Sequence, residues 1–386
     1  MIQQSNWSRQ LAARAQERRL QGLWRQRYTH GPDSDMHDFA GNDYLGLARD
    51  PRLAEAQAEG ASRFGAGAGA SHLVSGHLGV HEALEQRLAD LTGRPRALLF
   101  STGYMANLGT LQALCDNTTH LFQDRLNHAS LLDGARLAGA RSRRFHHRDL
   151  DDLDRLLARL PSDTLKLVIS DGVFSMDGDV ADIEGLAAVS ARHDAWLMID
   201  DAHGLGVLGD RGEGCAGRAR DAAGVPILVG TLGKALGTAG AFVAGSHELI
   251  DHLIQFARPY VYTTAQPPGV AAATLMALDI LVAEPERRTR LLSLVRYFRH
   301  EAEQLGLPLA HSDTPIQPLL LGDSARTLRW AAALREAGFL VGAIRPPTVP
   351  QGQARLRITL SARHTHDTLD ALLKALAGLQ QAERAA

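Results

Sequence analysis

AWLMIDDAHGLG, Ala195 to Gly206, decides the architecture. A short apolar run ends in two carboxylates, a histidine and glycines. Such a run reads as a strand buried on both faces. In open α/β sheets, ligands bind beyond the carboxyl ends of strands, where Asp200, Asp201 and His203 fall. An acid there can pair with a protonated ring nitrogen or hold a metal; read alone, Asp-Asp-x-His is equally a helix cap with a surface acid.

Similar runs lie on either side. RALLFS (Arg96–Ser101), THLFQD (Thr119–Asp124), LKLVIS (Leu165–Ser170) and PILVG (Pro226–Gly230) are strand-like. Helical patterns lie between several of them, including YMANLGTLQALC (Tyr104–Cys115), DLDRLLARL (Asp152–Leu160) and DIEGLAAVSARH (Asp182–His193). LGVHEALEQRLADL (Leu78–Leu91) is a helix before the first of these strands. The alternation predicts an α/β fold with a mostly parallel central sheet and crossover helices. Two long helical stretches follow, Pro267–Pro285 and Glu286–Leu305, and then the pattern restarts with IQPLLLG, a helix, FLVGAI, ARLRITL and a terminal helix. This divides the chain into an N-terminal helix and arm (1–45), a large domain (46–284) and a smaller C-terminal α/β domain (285–386). Residues 5–28 read as a basic amphipathic helix with Trp7, Leu11, Leu20, Leu23 and Trp24 on its apolar side.

Composition narrows the class. The 386 residues are 45% hydrophobic and 22% charged, which excludes global disorder. With 41 Lys+Arg against 43 Asp+Glu, the net charge of −2 gives no footing for a nucleic-acid or membrane-surface protein. Two cysteines, Cys115 and Cys215, are too few for a disulfide framework and fit a reduced compartment. No secretory signal is visible, and the longest mostly apolar stretch, Gly269–Ala283, contains Asp279 and is shorter than a bilayer span. The expectation is a soluble cytoplasmic protein.

Only Lys166, Lys234 and Lys374 are lysines; the other basic residues are arginines. Arginine cannot replace an amine that must lose its proton and act as a nucleophile. Lys166 leads into a strand and Lys374 sits on the terminal helix, so both read as solvated. Lys234 lies just after PILVG, within TLGKALGTAGAFVAG, amid small residues that let a backbone come close. That context suits a Schiff-base amine. A P-loop reading fails, because GxxxxGK[ST] is absent. STGYMAN (Ser101–Asn107) follows RALLFS and opens a helix, a junction that can cradle a phosphate or be an ordinary turn. GAGAGASH (Gly65–His72) follows a helix rather than a strand, which rules out the dinucleotide fingerprint. A phosphate cradle, a strand-end acid and an isolated lysine, each after a different strand, are together the parts that pyridoxal phosphate requires.

The chain also resembles the α-oxoamine synthases, within the fold-type I pyridoxal-phosphate enzymes, nearly end to end. The resemblance is carried by NDYLGL (Asn42–Leu47), LVSGHLGVHEALE (Leu73–Glu85), DRLNHASLLDGARL (Asp124–Leu137), GVFSMDGD (Gly172–Asp179), IDDAHGLGVLG (Ile199–Gly209), TLGKALG (Thr231–Gly237) and AIRPPTVPQGQARLRITL (Ala343–Leu360). It implies an aspartate-aminotransferase-like homodimer with active sites at the dimer interface. The IRPPTVP segment points to the members that condense L-alanine with a pimeloyl thioester, carried by coenzyme A or acyl carrier protein, in biotin synthesis. Sister enzymes that use glycine and a short acyl-coenzyme A are the alternative reaction, and a non-catalytic ligand-binding member is the alternative class. An intact Lys234, Asp200 and His203 argue against the latter.

By resemblance, Lys234 forms the Schiff base with pyridoxal 5'-phosphate and is the proton-abstracting base. Asp200 partners the pyridinium nitrogen, and His203 and Ser175 contact the ring hydroxyl region. His128 stacks over the ring face, with a place in catalysis and in substrate binding. Gly103, Tyr104 and Thr231 surround the cofactor and its phosphate. Arg357, assisted by Asn42, holds the amino-acid carboxylate, while Arg25 and Thr348 touch the acyl substrate or its product. No metal is expected. Without the resemblance, Arg355 and Arg357 would mark an exposed edge strand, and RSRRFHHR (Arg141–Arg148) reads as a solvated face. Two departures stand out: Asp171 where relatives commonly carry glutamate, which leaves its role open, and Gly233 where many have serine.

Overall fold

The short apolar runs are strands, and the polar residues that follow them gather along one edge of a sheet. The computed structural model describes residues 5–31, 35–218 and 224–385. The chain opens with helix α1 (Asn6–Leu20) and strand β1 (His37–Phe39), then α2 (Pro51–Phe64) and α3 (Gly79–Thr92). Strands and helices then alternate: β2 (Arg96–Phe100), α4 (Gly103–Leu114), β3 (His120–Asp124), α5 (Ala129–Ala138), β4 (Arg141–Phe145), α6 (Leu150–Leu157), β5 (Lys166–Asp171), α7 (Ile183–Arg192) and β6 (Trp196–Asp200). Next come β7 (Ile227–Thr231), β8 (Ala241–Gly245), α8 (His247–Phe256), α9 (Arg258–Val261), α10 (Pro268–Ala283) and α11 (Glu286–Gln304). The chain closes with β9 (Ile316–Gly322), α12 (Ser324–Glu336), β10 (Phe339–Ile344), β11 (Ala354–Thr359) and α13 (His366–Ala385).

The large sheet has seven strands in the order β2-β8-β7-β6-β5-β3-β4. Only β8 runs against its neighbours; β7-β6-β5-β3-β4 are parallel. Side chains alternate between two cores, as strand geometry demands. Leu98, Leu167, Ile169, Met198, Val229 and Val243 face one, with α4, α5 and α8 over them. Leu99, Val168, Leu197, Ile199, Leu228 and Phe242 face the other, which continues into the smaller sheet through Leu319, Leu356 and Ile358. The smaller sheet has four strands, β1-β10-β11-β9. Its edge strand β1 comes from the N-terminal arm and pairs parallel to β10.

Two readings change and two are refined. The N-terminal helix stops at Leu20, where Gly22 turns the chain at φ +64°, and none of its residues is buried. Arg25 therefore lies beyond the helix. Lys166 is not solvated: its side chain is buried, and Nζ donates to the carbonyls of Pro161, Ser162 and Thr164 at 3.0–3.2 Å. RSRRF is a true edge strand, β4, in parallel register with β3, though its first four residues are exposed. β11 is an interior strand with antiparallel neighbours on both sides, so Arg355 and Arg357 are buried rather than on an open edge.

Candidate active site

The turns after β2, β3, β5, β6 and β7 carry Gly103, His128, Ser175, His203 and Lys234 in that order. Parallel direction puts these turns at one edge of the sheet, so residues far apart in sequence converge.

Helix α4 brings an N-terminus that can hold an anion. Thr102 caps it by accepting from the Met105 N–H at 3.1 Å, and the first intrahelical bond is Ala106 N–H to the Thr102 carbonyl. Gly103 and Tyr104 precede that bond, so their N–H groups are the orphan donors of the helix N-terminus. A Cβ added at Gly103 would stand 2.6 Å from Thr231 Cγ2, so the cradle between α4 and the end of β7 fits only a glycine. Tyr104 is exposed, and its hydroxyl donates to Asp133 on α5.

Asp200 is buried at the end of β6. Its Oδ1 accepts from Ala202 N–H at 3.0 Å, and its Oδ2 from Asn107 Nδ2 at 2.6 Å. Asp171 lies beside it in register on β5 and accepts from the His128 backbone N–H at 2.8 Å. Burial, and then the charge of Asp200, push the Asp171 carboxyl well above the usual carboxylate range. Asp201 turns away, accepting from Cys215 Sγ at 2.9 Å, and burial pushes it up to about 7.

Lys234 is half-buried beyond β7. Burial pushes its amine down to about 8, against the opposing pull of Asp200 and Asp171. A lysine there holds an appreciable neutral fraction near physiological pH, as nucleophilic attack requires. Its loop is packed tightly: at Gly237, φ +67°, a Cβ would stand 2.4 Å from the Ala48 nitrogen. His203 is held neutral by burial and by the cations Lys234 and Arg357. Its Nδ1 lies 2.6 Å from the buried Tyr44 hydroxyl, which burial pushes up to about 12.

Arg357 reaches this cluster from β11. Its Nε donates to the Ser175 carbonyl at 2.5 Å, Nη1 to Thr359 Oγ1 at 2.9 Å and Nη2 to Asn42 Oδ1 at 3.0 Å. The guanidinium is thus fixed in orientation while each Nη keeps a second N–H. Arg25 and Thr348 stand apart from the cluster. Both are exposed and line a groove of about 640 Å³ with Trp24, Tyr28 and Arg345; no residue around Lys234 lines it.

The donor set suits a phosphorylated pyridine aldehyde. A helix N-terminus closed by Thr231 can take the phosphate, a buried carboxylate the ring nitrogen, and a depressed lysine the aldehyde. Three contributors escaped sequence reasoning: Asn107, Ser130 and Tyr44. Asn107 was within reach, since it lies four residues after Gly103 on the same helix face. Elsewhere, His72, His77 and His81 cluster within metal-binding range, but five of their six ring nitrogens, all except His72 Nε2, are engaged in hydrogen bonds. His72 and His77 share one at 2.9 Å, His77 meets Glu82 at 3.0 Å, and His81 spans Leu78 N–H and the Gln266 carbonyl.

Residues 34–376 match the family described as aminotransferase class I and II. The 8-amino-7-oxononanoate synthase of Chromohalobacter salexigens is 72% identical over 98% of this chain and 98% of its own. A solved structure of SPT with PLP internal aldimine superimposes with a TM-score of 0.91 at 31% identity, over 98% of this chain and 99% of that one. An 8-amino-7-oxononanoate synthase structure from Francisella tularensis has a TM-score of 0.78 at 30% identity, over 90% and 99%.

Proposed function

The chain belongs to the class I and II aminotransferase family and, within it, to the 8-amino-7-oxononanoate synthases, and on that premise we propose that the strand-end cluster around Lys234 is its active site. The activity is decarboxylative condensation of L-alanine with a pimeloyl thioester, giving 8-amino-7-oxononanoate, carbon dioxide and the free thiol carrier in biotin biosynthesis. The cofactor is pyridoxal 5'-phosphate. When bound, it supplies an aldehyde for an amine and a protonated ring that takes up the electron pair left by a departing proton or carboxylate.

The chain's own residues divide the rest. Lys234 would hold the cofactor through its Nζ, and the same amine would take the α-proton of alanine and later return one. Asp200 keeps a proton on the ring nitrogen. Gly103, Tyr104 and Thr231 would receive the phosphate, His203 and Ser175 would hold the ring hydroxyl, and His128 would lie against the ring. Arg357, with Asn42, grips the alanine carboxylate through its remaining Nη protons, a charge-assisted and directional contact. Arg25 and Thr348 meet the acyl chain or product. The observation that carries this assignment is the convergence of the α4 N-terminus, Asp200 and Lys234 at the ends of β2, β6 and β7.

The same proposal makes the enzyme a cytoplasmic homodimer with an arm (1–45), a large domain (46–284) and a small domain (285–386). Two buried, unpaired cysteines support the compartment. Exposed Trp7, Leu11, Val74 and Tyr262 support a partner surface. The acyl carrier is coenzyme A or acyl carrier protein. Thiol release from pimeloyl-coenzyme A tests the substrates, with L-alanine and glycine supplied separately. Alanine-dependent release is expected, and glycine-dependent release alone would transfer the chain to a sister reaction.

A further inference from the structure

Asn107 lies wholly inside the molecule on the second turn of α4, and both protons of its side-chain amide are spent. One goes to Asp200 Oδ2 at 2.6 Å, the other to Ser130 Oγ at 2.8 Å. Its Oδ1 is buried with no partner among the described residues. An unpaired buried carbonyl costs stability, so the amide should turn if turning helped. It does not, because the flipped amide would set Oδ1 against the Asp200 carboxylate. The orientation of Asn107 is therefore dictated by Asp200.

Direction then propagates. Ser130 Oγ accepts from Asn107, which leaves its own proton for His128 Nδ1, 2.7 Å away. His128 Nδ1 also receives the Ser130 backbone N–H at 3.3 Å, so it is an acceptor twice over. The neutral ring must carry its proton on Nε2, and burial favours the neutral ring. An unbroken donor-to-acceptor path thus runs outward from Asn107 to Asp200 on one side and to His128 on the other.

We propose that Asn107 is a positioning residue that fixes the Asp200 carboxylate toward the cofactor ring nitrogen and, through Ser130, the tautomer and tilt of His128 over the ring face. The proposal rests on the active-site reading above and deepens it: one uncharged amide holds two groups that act on different parts of the same ring. An amide suits this place because it donates to a carboxylate without adding a charge that would compete with the ring nitrogen.

The test uses purified holoenzyme and two readouts, dissociation of pyridoxal phosphate followed by its visible band, and steady-state thiol release. Asn107→Leu, which keeps the volume and removes the donors, should weaken cofactor retention about 10-fold or more. It should lower kcat by a similar factor and leave the KM for alanine within about threefold, because the Arg357 clamp is untouched. Ser130→Ala should lower kcat while cofactor retention stays within about threefold of wild type, since the Asp200 arm survives. Should Asn107→Leu fail to fold, Asn107→Ala, which removes both donors and adds no volume, carries the same retention measurement. Wild-type retention and kcat in whichever folded variant is measured would overturn the proposal, as would equal retention losses in the Asn107 and Ser130 variants. Wild-type enzyme that holds the cofactor but releases no thiol would refute the substrate reading alone, because retention is measured without substrates.

Discussion

At the scale of single residues, the proposed site divides into groups that would react and groups that would aim them. Lys234→Ala removes the one amine in the cluster. Turnover should fall below detection while cofactor still binds through its phosphate and Asp200, a split read by thiol release beside the visible spectrum; full activity would remove Lys234 from the role of base. Arg357→Ala removes a fixed cation, and charge-assisted hydrogen bonds contribute about 1.5–3 kcal/mol, so KM for alanine should rise about 10- to 100-fold. An unchanged alanine KM would end the carboxylate-clamp assignment. Lys234 was legible in the sequence because lysine is scarce here and no salt-bridge partner stands near it in sequence. Asn107, Ser130 and Tyr44 were not, because their meaning lies in contacts across 23, 93 and 159 residues of chain. Lys166 misled for the complementary reason: its burial under three carbonyls depends on how the Pro161–Thr164 turn folds back.

Among the elements, the loop Gly172–Val180 has the most to connect. Phe174 N–H and Gly178 N–H close it on itself, bonding the carbonyls of Asp179 and Phe174. Its tip is held by the small sheet: Ser312 and Thr314 donate to the Gly178 carbonyl at 2.8 and 2.9 Å, and Arg355 meets Asp177 at 2.5 Å. Its base is held by the large sheet through His147, which bridges Asp124 at 3.0 Å and Asp179 at 2.8 Å. Burial pulls His147 down, but the two carboxylates outweigh it and push the imidazole up to about 9 from an ordinary 6.5. A raised folded-state value means the stabilisation is complete below about pH 6.5 and is lost as pH climbs through about 9. Thermal melting of wild type and His147→Gln should therefore differ most below pH 6.5 and converge by pH 9; a pH-independent gap would show that His147 acts by packing alone. Most strands on either side of this loop were legible, since continuous apolar runs mark sheets covered on both faces. β4 was not, because an edge strand with four exposed residues, three of them arginine, has no apolar signature and forms by pairing with β3. β8 was hidden within a glycine-rich run that served the lysine loop first.

For the whole molecule, helix α1 raises the question of what covers it. Trp7, Leu11 and Leu20 are 72%, 63% and 81% exposed, and no residue of the helix is buried within the chain. Apolar surface on that scale favours a second copy of the chain. Sedimentation should give twice the mass of one chain, and a variant lacking residues 1–20 should dissociate at higher concentration; a monomeric full-length protein would refute the homodimer. The helix leads into β1, and β1 has a peculiar history. It precedes every other strand among the described residues, yet its partner β10 pairs Phe39 with Val341, about 300 residues later. At about 5–20 residues per second, the ribosome takes roughly 15–60 s to cover that distance. For that interval the newborn chain carries an unmatched strand edge, at a time when the large sheet, whose strands lie between residues 96 and 245, can already assemble. Synthesis of the segment from Ile316 to Thr359 thus completes the small sheet and takes its opening residues out of reach of other nascent chains.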